Sequence, residues 1–144
     1  MNRTITYSYT QLSTIIQQIM PVLAHCQVIT LQGPLGAGKT TFTKAFLEQH
    51  GIDESTITSP TFTYVNMYSN AQGQRFYHFD LYRLSTLEEF ISLGFNEYLY
   101  QPNSICLIEW PEPIVPLLTH SVCTIKLDYG QQENERIISV ESSS

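Results

Sequence analysis

The sequence predicts an α/β fold, in which a central mixed, partly parallel sheet is flanked by helices and continues into C-terminal antiparallel strands. Two short and almost wholly apolar runs, residues 28–31 and 105–108, have the composition of strands buried on both faces, as in parallel sheets. Apolar side chains recur at helical spacing in residues 40–50, after the first of these runs. Pairs of β-rich runs elsewhere indicate antiparallel hairpins, which make the sheet mixed.

The chain has the size and composition of one folded domain. Its 144 residues match the usual size of a domain and 42% of them are hydrophobic, so we expect a single domain over residues 1–144. Lys and Arg total 7 against 13 Asp and Glu, which gives a net charge of -6. So acidic a chain cannot supply the counterion release that drives independent nucleic-acid binding, and any nucleic acid would be reached through a partner.

The cysteines and the hydropathy of the sequence indicate the cellular environment in which we expect the protein. Cys26, Cys106 and Cys123 are odd in number, far apart and never in a C-x-x-C pair. We therefore expect neither a disulfide framework nor a cysteine metal site. No apolar run approaches the roughly 18 residues of a membrane span, and residues 1–10 lack the apolar segment of a signal peptide. The expectation is a soluble, cytoplasmic protein without membrane contact.

The first half of the chain predicts two helices around the first buried strand. Apolar side chains recur at helical spacing from Leu12 to Leu23, and Ser8 with Gln11 fits a capping box before them. Pro21 predicts a kink or an end of this helix near Met20, because proline interrupts helical hydrogen bonding. The helix predicted over residues 40–50 is followed by a glycine that can cap its end.

The second half predicts further strands and one short helix. Residues 61–68 and 75–81 are aromatic and β-branched, and the polar residues between them predict a hairpin turn. Ser85 and Glu88 fit a capping box that opens a short helix, which Gly94 can close. Residues 122–129 and 136–140 predict a final antiparallel pair around a polar turn.

The strongest chemical motif is a glycine-rich loop between the first buried strand and its helix. It fits the pattern G-x-x-x-x-G-K-[ST] over residues 33–40. Glycines let successive backbone N–H groups converge on phosphate oxygens, and the helix adds the positive end of its dipole. We expect Lys39 to reach the β- and γ-phosphates and the Thr40 hydroxyl to bind Mg²⁺. The predicted nucleotide contacts here are Pro34, Leu35, Gly36, Ala37, Gly38, Lys39, Thr40 and Thr41.

This loop makes the predicted fold P-loop NTPase-like and calls for an acidic residue at the end of a neighbouring strand. Glu109 directly follows the second buried strand, and Asp80 ends the strand-like run before it. Both are predicted at the edge of the sheet where open α/β proteins place ligands. His78 shares a strand face with Asp80, and we interpret it as structural.

Two further features lie close to these residues in the predicted topology. Residues 59–63 form a hydroxyl-rich extended segment, where nucleotide switches often sense the γ-phosphate. Ordinary loop composition explains this segment equally well. Trp110 follows Glu109, and its indole fits either the edge of the core or an exposed anchor.

With these motifs in place, the sequence resembles the TsaE family, also called YjeE, of small bacterial P-loop ATPases. The resemblance extends over most of the chain, from about Gln27 to Tyr129, and depends on several motifs in order. These are Leu-Gly-Ala-Gly-Lys-Thr-Thr (35–41), Ser-Pro-Thr-Phe-Thr (59–63), His-Phe-Asp-Leu-Tyr-Arg-Leu (78–84), Gly-Phe-Asn-Glu-Tyr (94–98) and Ile-Glu-Trp-Pro-Glu (108–112).

The resemblance implies a function and a set of site residues. It implies an Mg²⁺-dependent ATPase that acts with TsaB and TsaD in forming threonylcarbamoyladenosine (t6A) in tRNA, TsaD carrying the transfer chemistry. By that resemblance Thr40 and Glu109 are Mg²⁺ ligands, Asp80 is the other acidic position, and Thr61 belongs to the switch-like loop. The nearest matches to nucleotide contacts from the chain ends are Thr10 and Arg136. Pro34 stands where the family often has Asp, which removes one backbone N–H from the loop.

Two other functions are compatible with a P-loop. A small-molecule kinase would need an Arg-bearing lid, but the chain has only Arg3, Arg75, Arg83 and Arg136 and no Arg-bearing insertion after the second buried strand. A GTP-type regulatory switch would normally carry an Asn-Lys-x-Asp segment, which the sequence lacks. Analysis of the product would identify a kinase, and competition of ATP against GTP would identify a switch, so both remain alternatives. The resemblance implies catalysis on ATP by Lys39, Asp80 and Glu109.

Overall fold

A seven-stranded mixed sheet forms the centre of the molecule, which a computed structural model describes over residues 2–60 and 62–143. The strands are β1 (Asn2–Ser8), β2 (Val28–Gln32), β3 (Val65–Ser69), β4 (Arg75–Asp80), β5 (Ser104–Glu109), β6 (Val122–Tyr129) and β7 (Glu135–Ser142). Their order across the sheet is β1-β7-β6-β2-β5-β4-β3. The four inner strands β6, β2, β5 and β4 run parallel, and the outer strands are antiparallel to their neighbours. The predicted mixed α/β sheet is therefore confirmed.

Helices cover both faces of this sheet. They are α1 (Leu12–Leu23), α2 (Lys39–Gln49) and α3 (Leu87–Ser92), together with short 3₁₀ turns. Alternate residues of β5 belong to two separate apolar clusters, because successive side chains of a strand point to opposite faces. Leu107 packs in the cluster that contains α1 and α2, and Ile108 packs in the cluster that contains α3. No helix in the described parts of the chain is long and apolar enough to span a membrane.

Three predicted boundaries differ from the structure. Helix α1 passes Pro21 and ends at Leu23, because Pro21 lies on the exposed face while Leu23 beyond it is fully buried. Strand β3 begins at Val65 rather than at residue 61. The cap of α3 is Thr86, whose hydroxyl accepts the Glu89 N–H at 3.1 Å, and not Ser85.

Strand β1 is an element that the sequence patterns did not predict. It pairs along its whole length with β7, from Asn2 opposite Glu141 to Ser8 opposite Glu135. Tyr7 is buried while its neighbour Thr6 is exposed, the alternation of a strand with one covered face. The strand continues directly into the turn before α1, where the Ser8 N–H donates to Gln11 Oε1 at 2.9 Å.

A disulfide joins Cys26 to Cys123, which lie 97 residues apart in the chain. The expectation that these cysteines stay unpaired was therefore wrong. Strands β2 and β6 pair in parallel with Ile29 opposite Cys123, and this register brings Cys26, just before β2, close to Cys123. Cys106 stays free and buried, and burial raises the pKa of its thiol to about 12.

Reducing this disulfide is expected to lower the free energy of unfolding by about 2–4 kcal/mol, because the cross-link restricts the unfolded chain over a long loop. Urea unfolding with and without a thiol reductant measures the change. The double variant Cys26→Ala/Cys123→Ala is the control, and its midpoint should not respond to the reductant. An identical midpoint for the oxidised and reduced wild-type chain would contradict a stabilising bond.

Candidate nucleotide-binding site

The candidate site lies at the carboxyl edge of the parallel strands. The P-loop follows β2, Asp80 is the last residue of β4 and Glu109 is the last residue of β5. The register places Asp80 opposite Glu109, and Leu31 of β2 lies opposite Glu109 on its other side. Three neighbouring strands therefore bring the predicted loop and both predicted acids to one edge, as the sequence predicted.

Close contacts with β6 fix the backbone of the P-loop. A β-carbon at Gly33 would collide with the carbonyl oxygen of Leu127, so only glycine fits there. Gly36 has a φ of 80°, and a β-carbon on it would lie 2.7 Å from the Tyr129 hydroxyl. That hydroxyl donates a hydrogen bond to the carbonyl oxygen of Leu35. Contacts with β6 therefore fix the backbone conformation of the P-loop.

The Lys39 side chain is folded back against the loop and is almost fully buried. Its Nζ donates to the Gly33 carbonyl oxygen at 2.7 Å and lies 3.5 Å from the centre of the Trp110 ring. Burial lowers the pKa of Lys39, and the negative charges of Glu109, Asp80 and Glu112 partly oppose that shift. An anionic ligand in the loop would offer this ammonium group a stronger partner than a neutral carbonyl.

Thr40 and Glu109 come together at the beginning of α2. The Thr40 hydroxyl lies 3.3 Å from each carboxylate oxygen of Glu109. Glu109 Oε2 also lies 2.6 Å from His78 Nε2, and both of these side chains are buried. His78 is thus packed and hydrogen-bonded, as its structural interpretation predicts, and Glu109 is the partner that the sequence did not identify.

Asp80 lies beside this pair at the end of β4. Its Oδ1 accepts the backbone N–H of Tyr82 at 3.1 Å. Burial raises the pKa of Asp80, the Tyr82 hydrogen bond opposes the rise, and the nearby Glu109 charge adds to it. The site therefore concentrates negative charge opposite the cationic end of Lys39 and the N-terminus of α2.

Most of the predicted site residues line an open cavity of about 270 Å³. Those that line it are Leu35, Gly36, Gly38, Lys39, Thr40, Thr41, Asp80 and Glu109. Pro34 and Ala37 belong to the same loop but do not line the cavity. Thr61, which is also a predicted site residue, lies outside the described residues.

The two predicted contacts from the chain ends lie to the side of this cavity. The Arg136 guanidinium is centred 4.3 Å from the Tyr9 ring and 4.8 Å from the Tyr129 ring. It also donates to the carbonyl oxygens of Glu133 and Glu135. Thr10, by contrast, is exposed and contacts Ser8 through its hydroxyl at 3.0 Å. Arg136 thus supports Tyr9, which does line the cavity.

Three aromatic side chains line the cavity without having been predicted as binding residues. They are Tyr9, Tyr82 and Trp110. Trp110 has a φ of 58°, a conformation that bulky residues rarely adopt, and its ring lies 5.1 Å from that of Tyr82. The available signal was the position of Trp110 directly after Glu109. Tyr9 lies near the start of the chain, directly after β1, and gave no such signal.

The oxygen donors at this site are suited to Mg²⁺. Within the described ranges, no group of three or more His, Cys, Asp or Glu side chains could hold a metal ion by itself. Mg²⁺ prefers oxygen ligands and usually takes only one or two carboxylates, with phosphates and waters supplying the remainder. The Thr40 hydroxyl and the Glu109 and Asp80 carboxylates fit a Mg²⁺ ion that arrives with a nucleotide.

Thr58, which lies before β3, forms hydrogen bonds with two side chains of that strand. The Thr58 N–H donates to the Tyr68 hydroxyl at 3.1 Å, and Asn66 Nδ2 donates to the Thr58 carbonyl oxygen at 3.0 Å. Further along, Phe62 is 78% exposed, and its ring lies 5.1 Å from the Arg83 guanidinium. Phe62 therefore presents a large apolar side chain to solvent.

Comparisons with known proteins identify the relationship. The family profile described as "Threonylcarbamoyl adenosine biosynthesis protein TsaE" matches residues 6–138. The tRNA threonylcarbamoyladenosine biosynthesis protein TsaE of Haemophilus influenzae is 42% identical over 102 residues, which cover 71% of this chain and 63% of that protein. Its namesake from Treponema pallidum is 42% identical over 116 residues, which cover 81% of this chain and 83% of that protein.

A solved structure agrees with the sequence comparisons. The crystal structure of Bacillus subtilis YdiB superposes with a TM-score of 0.64 and 29% identity, covering all of this chain and 88% of that one. The family match spans the P-loop, both acidic strand ends and the first half of β7. The chain therefore belongs to the TsaE family, as its motifs predicted.

Proposed function

We propose that the chain is an Mg²⁺-dependent ATPase that supports t6A formation in tRNA together with TsaB and TsaD. The observation that supports this proposal most strongly is the position of Thr40, beside Lys39 at the N-terminus of α2. Its hydroxyl lies 3.3 Å from both carboxylate oxygens of Glu109. A hydroxyl and a carboxylate at this point of a P-loop are the groups that hold the metal in P-loop NTPases. The names of the two bacterial relatives support the tRNA-modification role.

The P-loop would bind the phosphate chain mainly through its backbone. Its N–H groups and the positive end of the α2 dipole would bind the phosphate oxygens. Lys39 would leave the Gly33 carbonyl and bind the terminal phosphates, because a charged acceptor forms the stronger hydrogen bond. This movement would also take its ammonium group away from the Trp110 ring, where Nζ lies 3.5 Å from the ring centre.

Thr40, Glu109 and Asp80 would supply the remaining chemistry. Thr40 and Glu109 would hold Mg²⁺, which neutralises the charge that develops on the transferred phosphoryl group. Asp80 is close enough to Glu109 for the two charges to interact, so it can hold a metal-bound or attacking water. The aromatic rings of Tyr9, Tyr82 and Trp110 would exclude part of the solvent from the phosphates.

The isolated chain is expected to be a slow ATPase. Among the described residues that line the cavity, Lys39 is the one cationic side chain. Arg83 is the nearest candidate for an arginine finger, but its guanidinium lies over Phe62 at 5.1 Å. Arginine fingers accelerate comparable reactions by about 10³–10⁵-fold, so their absence from the site predicts low turnover. A partner that covers the exposed Phe62 would dock beside Arg83 and could complete the site.

Titration of TsaB and TsaD into an assay of the purified chain is expected to raise ATP hydrolysis at least about tenfold. Fluorescence of Trp110, the single tryptophan, should change when ATP is added to the chain alone, because nucleotide binding removes Lys39 from its ring. Lys39→Ala supplies the inactive baseline. Fast hydrolysis by the chain alone, with no gain at saturating partners, would contradict partner activation.

The same assay separates the two alternative functions. Inorganic phosphate is the expected product, whereas a small-molecule kinase would yield a phosphorylated acceptor. Competition between ATP and GTP tests for a guanine-specific switch. With a net charge of -6, the chain would reach tRNA only indirectly, through its partners in the cytoplasm.

A further inference from the structure

His78 is the one histidine that contacts the acidic residues of the candidate site. It lies in β4 with 1% of its surface exposed, and its Nε2 is 2.6 Å from Glu109 Oε2. An ionised carboxylate can only accept a hydrogen bond, so the hydrogen belongs to His78 Nε2. The bond therefore runs from the interior of the sheet to the carboxylate that is proposed to face Mg²⁺.

The strand geometry explains why His78 reaches Glu109 and no other acid. Strands β4 and β5 are parallel neighbours, with His78 opposite Leu107 and Asp80 opposite Glu109. His78 and Asp80 lie two residues apart and therefore on one face of β4. The imidazole approaches Glu109 Oε2 from β4. The Thr40 hydroxyl, which belongs to α2, lies 3.3 Å from each oxygen of the same carboxylate.

Stability alone does not explain a histidine at this position. His78 Nδ1 is buried and has no hydrogen-bond partner in the described structure. A buried nitrogen without a partner is costly, and an apolar side chain of similar size would avoid that cost. The polar contact that His78 does make is with Glu109. What the imidazole contributes is the direction of that carboxylate.

We propose that His78 is a positioning residue, whose Nε2–H holds the Glu109 carboxylate in the orientation that binds Mg²⁺ beside Thr40. This inference rests on the proposed function, because it assigns Glu109 to the metal. Side chains that orient metal ligands through hydrogen bonds typically change metal affinity or activity by about 10–100-fold when they are removed. Without the bond, the hydrogen bonds that the described structure gives the Glu109 carboxylate would be those with Thr40, both at 3.3 Å.

Substitutions at His78 separate the hydrogen bond from the packing. His78→Gln keeps an N–H near the position of Nε2, whereas His78→Leu removes it and His78→Asn is too short to reach Glu109. Phe76→Leu is the matched control, since Phe76 is fully buried on the same face of β4 but packs against Phe46 and His50. Two properties are measured for each: the Mg²⁺ concentration that half-saturates binding of a non-hydrolysable ATP analogue, and kcat and KM for ATP.

The Leu and Asn variants are expected to need about tenfold more Mg²⁺ and to lose about tenfold in kcat. His78→Gln should recover most of both properties, and Phe76→Leu should lower the urea midpoint without changing the Mg²⁺ requirement. If His78→Leu does not fold, the comparison of His78→Gln with His78→Asn tests the proposal. A Mg²⁺ requirement and kcat like those of the wild type in folded Leu or Asn variants would overturn the proposal, as would a Gln variant as impaired as Leu.

The readouts also separate this proposal from the proposed function. If the wild type binds the analogue with Mg²⁺ but releases no phosphate, the ATPase proposal fails while the Mg²⁺ requirement still tests His78. If analogue binding by the wild type is independent of Mg²⁺, then Glu109 does not hold the metal and the role of His78 is overturned as well.

Discussion

Lys39→Ala is expected to weaken ATP binding by about 10–150-fold and to reduce hydrolysis at least as much. The ammonium group is the one cation lining the described cavity, and losing a charge-assisted hydrogen bond costs about 1.5–3 kcal/mol. On binding ATP the wild-type side chain gives up its hydrogen bond to Gly33 at 2.7 Å, so the net loss in the variant stays within this range. Calorimetric titration with ATP measures the affinity, and a phosphate-release assay measures the turnover.

Lys44→Ala is the matched control for that substitution. Lys44 lies on the same helix but is 42% exposed and pairs with Glu54 at 3.1 Å, away from the cavity. Exposed ion pairs contribute little, so this variant should bind and hydrolyse ATP like the wild type. If Lys39→Ala also retained wild-type affinity and turnover, the P-loop would not be the site of nucleotide binding.

Glu109→Gln is expected to reduce hydrolysis by about 10–100-fold while changing ATP affinity much less. The amide keeps the size of the side chain and an oxygen that can accept the His78 hydrogen bond. It removes the negative charge that is proposed to hold Mg²⁺ next to Thr40. The P-loop backbone and Lys39 remain, so the phosphate chain should still bind. Comparing kcat with the calorimetric affinity separates the two effects.

Two carboxylate variants place this result in context. Glu112→Gln removes a nearby charge that influences the pKa of Lys39 but does not line the cavity, so hydrolysis should stay close to the wild-type rate. Asp80→Asn should lower hydrolysis in the same way as Glu109→Gln if both acids act on the metal or its water. Normal turnover in Asp80→Asn would reduce Asp80 to its structural bond with Tyr82. Normal turnover in Glu109→Gln would remove the proposed metal site.

Local sequence patterns were sufficient for the centre of the fold and for the main residues of the site. The P-loop, the buried strands β2 and β5, and the helix α2 each depend on residues that are close in sequence. Asp80 and Glu109 were predicted because each directly ends a strand, and parallel strands end at a common edge. The convergence of the P-loop and the two acidic strand ends at one edge of the sheet was therefore predictable from the sequence.

Features that depend on distant pairing were not visible in the sequence. Strand β1 owes its conformation to β7, and the bond between Cys26 and Cys123 follows from the pairing of β2 with β6. The contact of His78 with Glu109 requires the register between β4 and β5, which a single strand pattern does not specify.

The position of Lys39 over Trp110 is another feature that local sequence patterns do not predict. Its geometry depends on the positive φ of Trp110, which is 58°, and on the burial of the ammonium group below the ring. Neither property follows from local composition, since aromatic residues rarely adopt this backbone conformation. The arrangement gives the chain a built-in fluorescence reporter that the sequence alone did not indicate.

The most direct test of an Mg²⁺-dependent ATPase is phosphate release from ATP by the purified chain, measured across a Mg²⁺ titration with and without TsaB and TsaD. We expect slow release that requires Mg²⁺, rises with the partners and is lost in Lys39→Ala and Glu109→Gln. Absence of phosphate release at every Mg²⁺ concentration, with the partners present and ATP bound, would contradict the account.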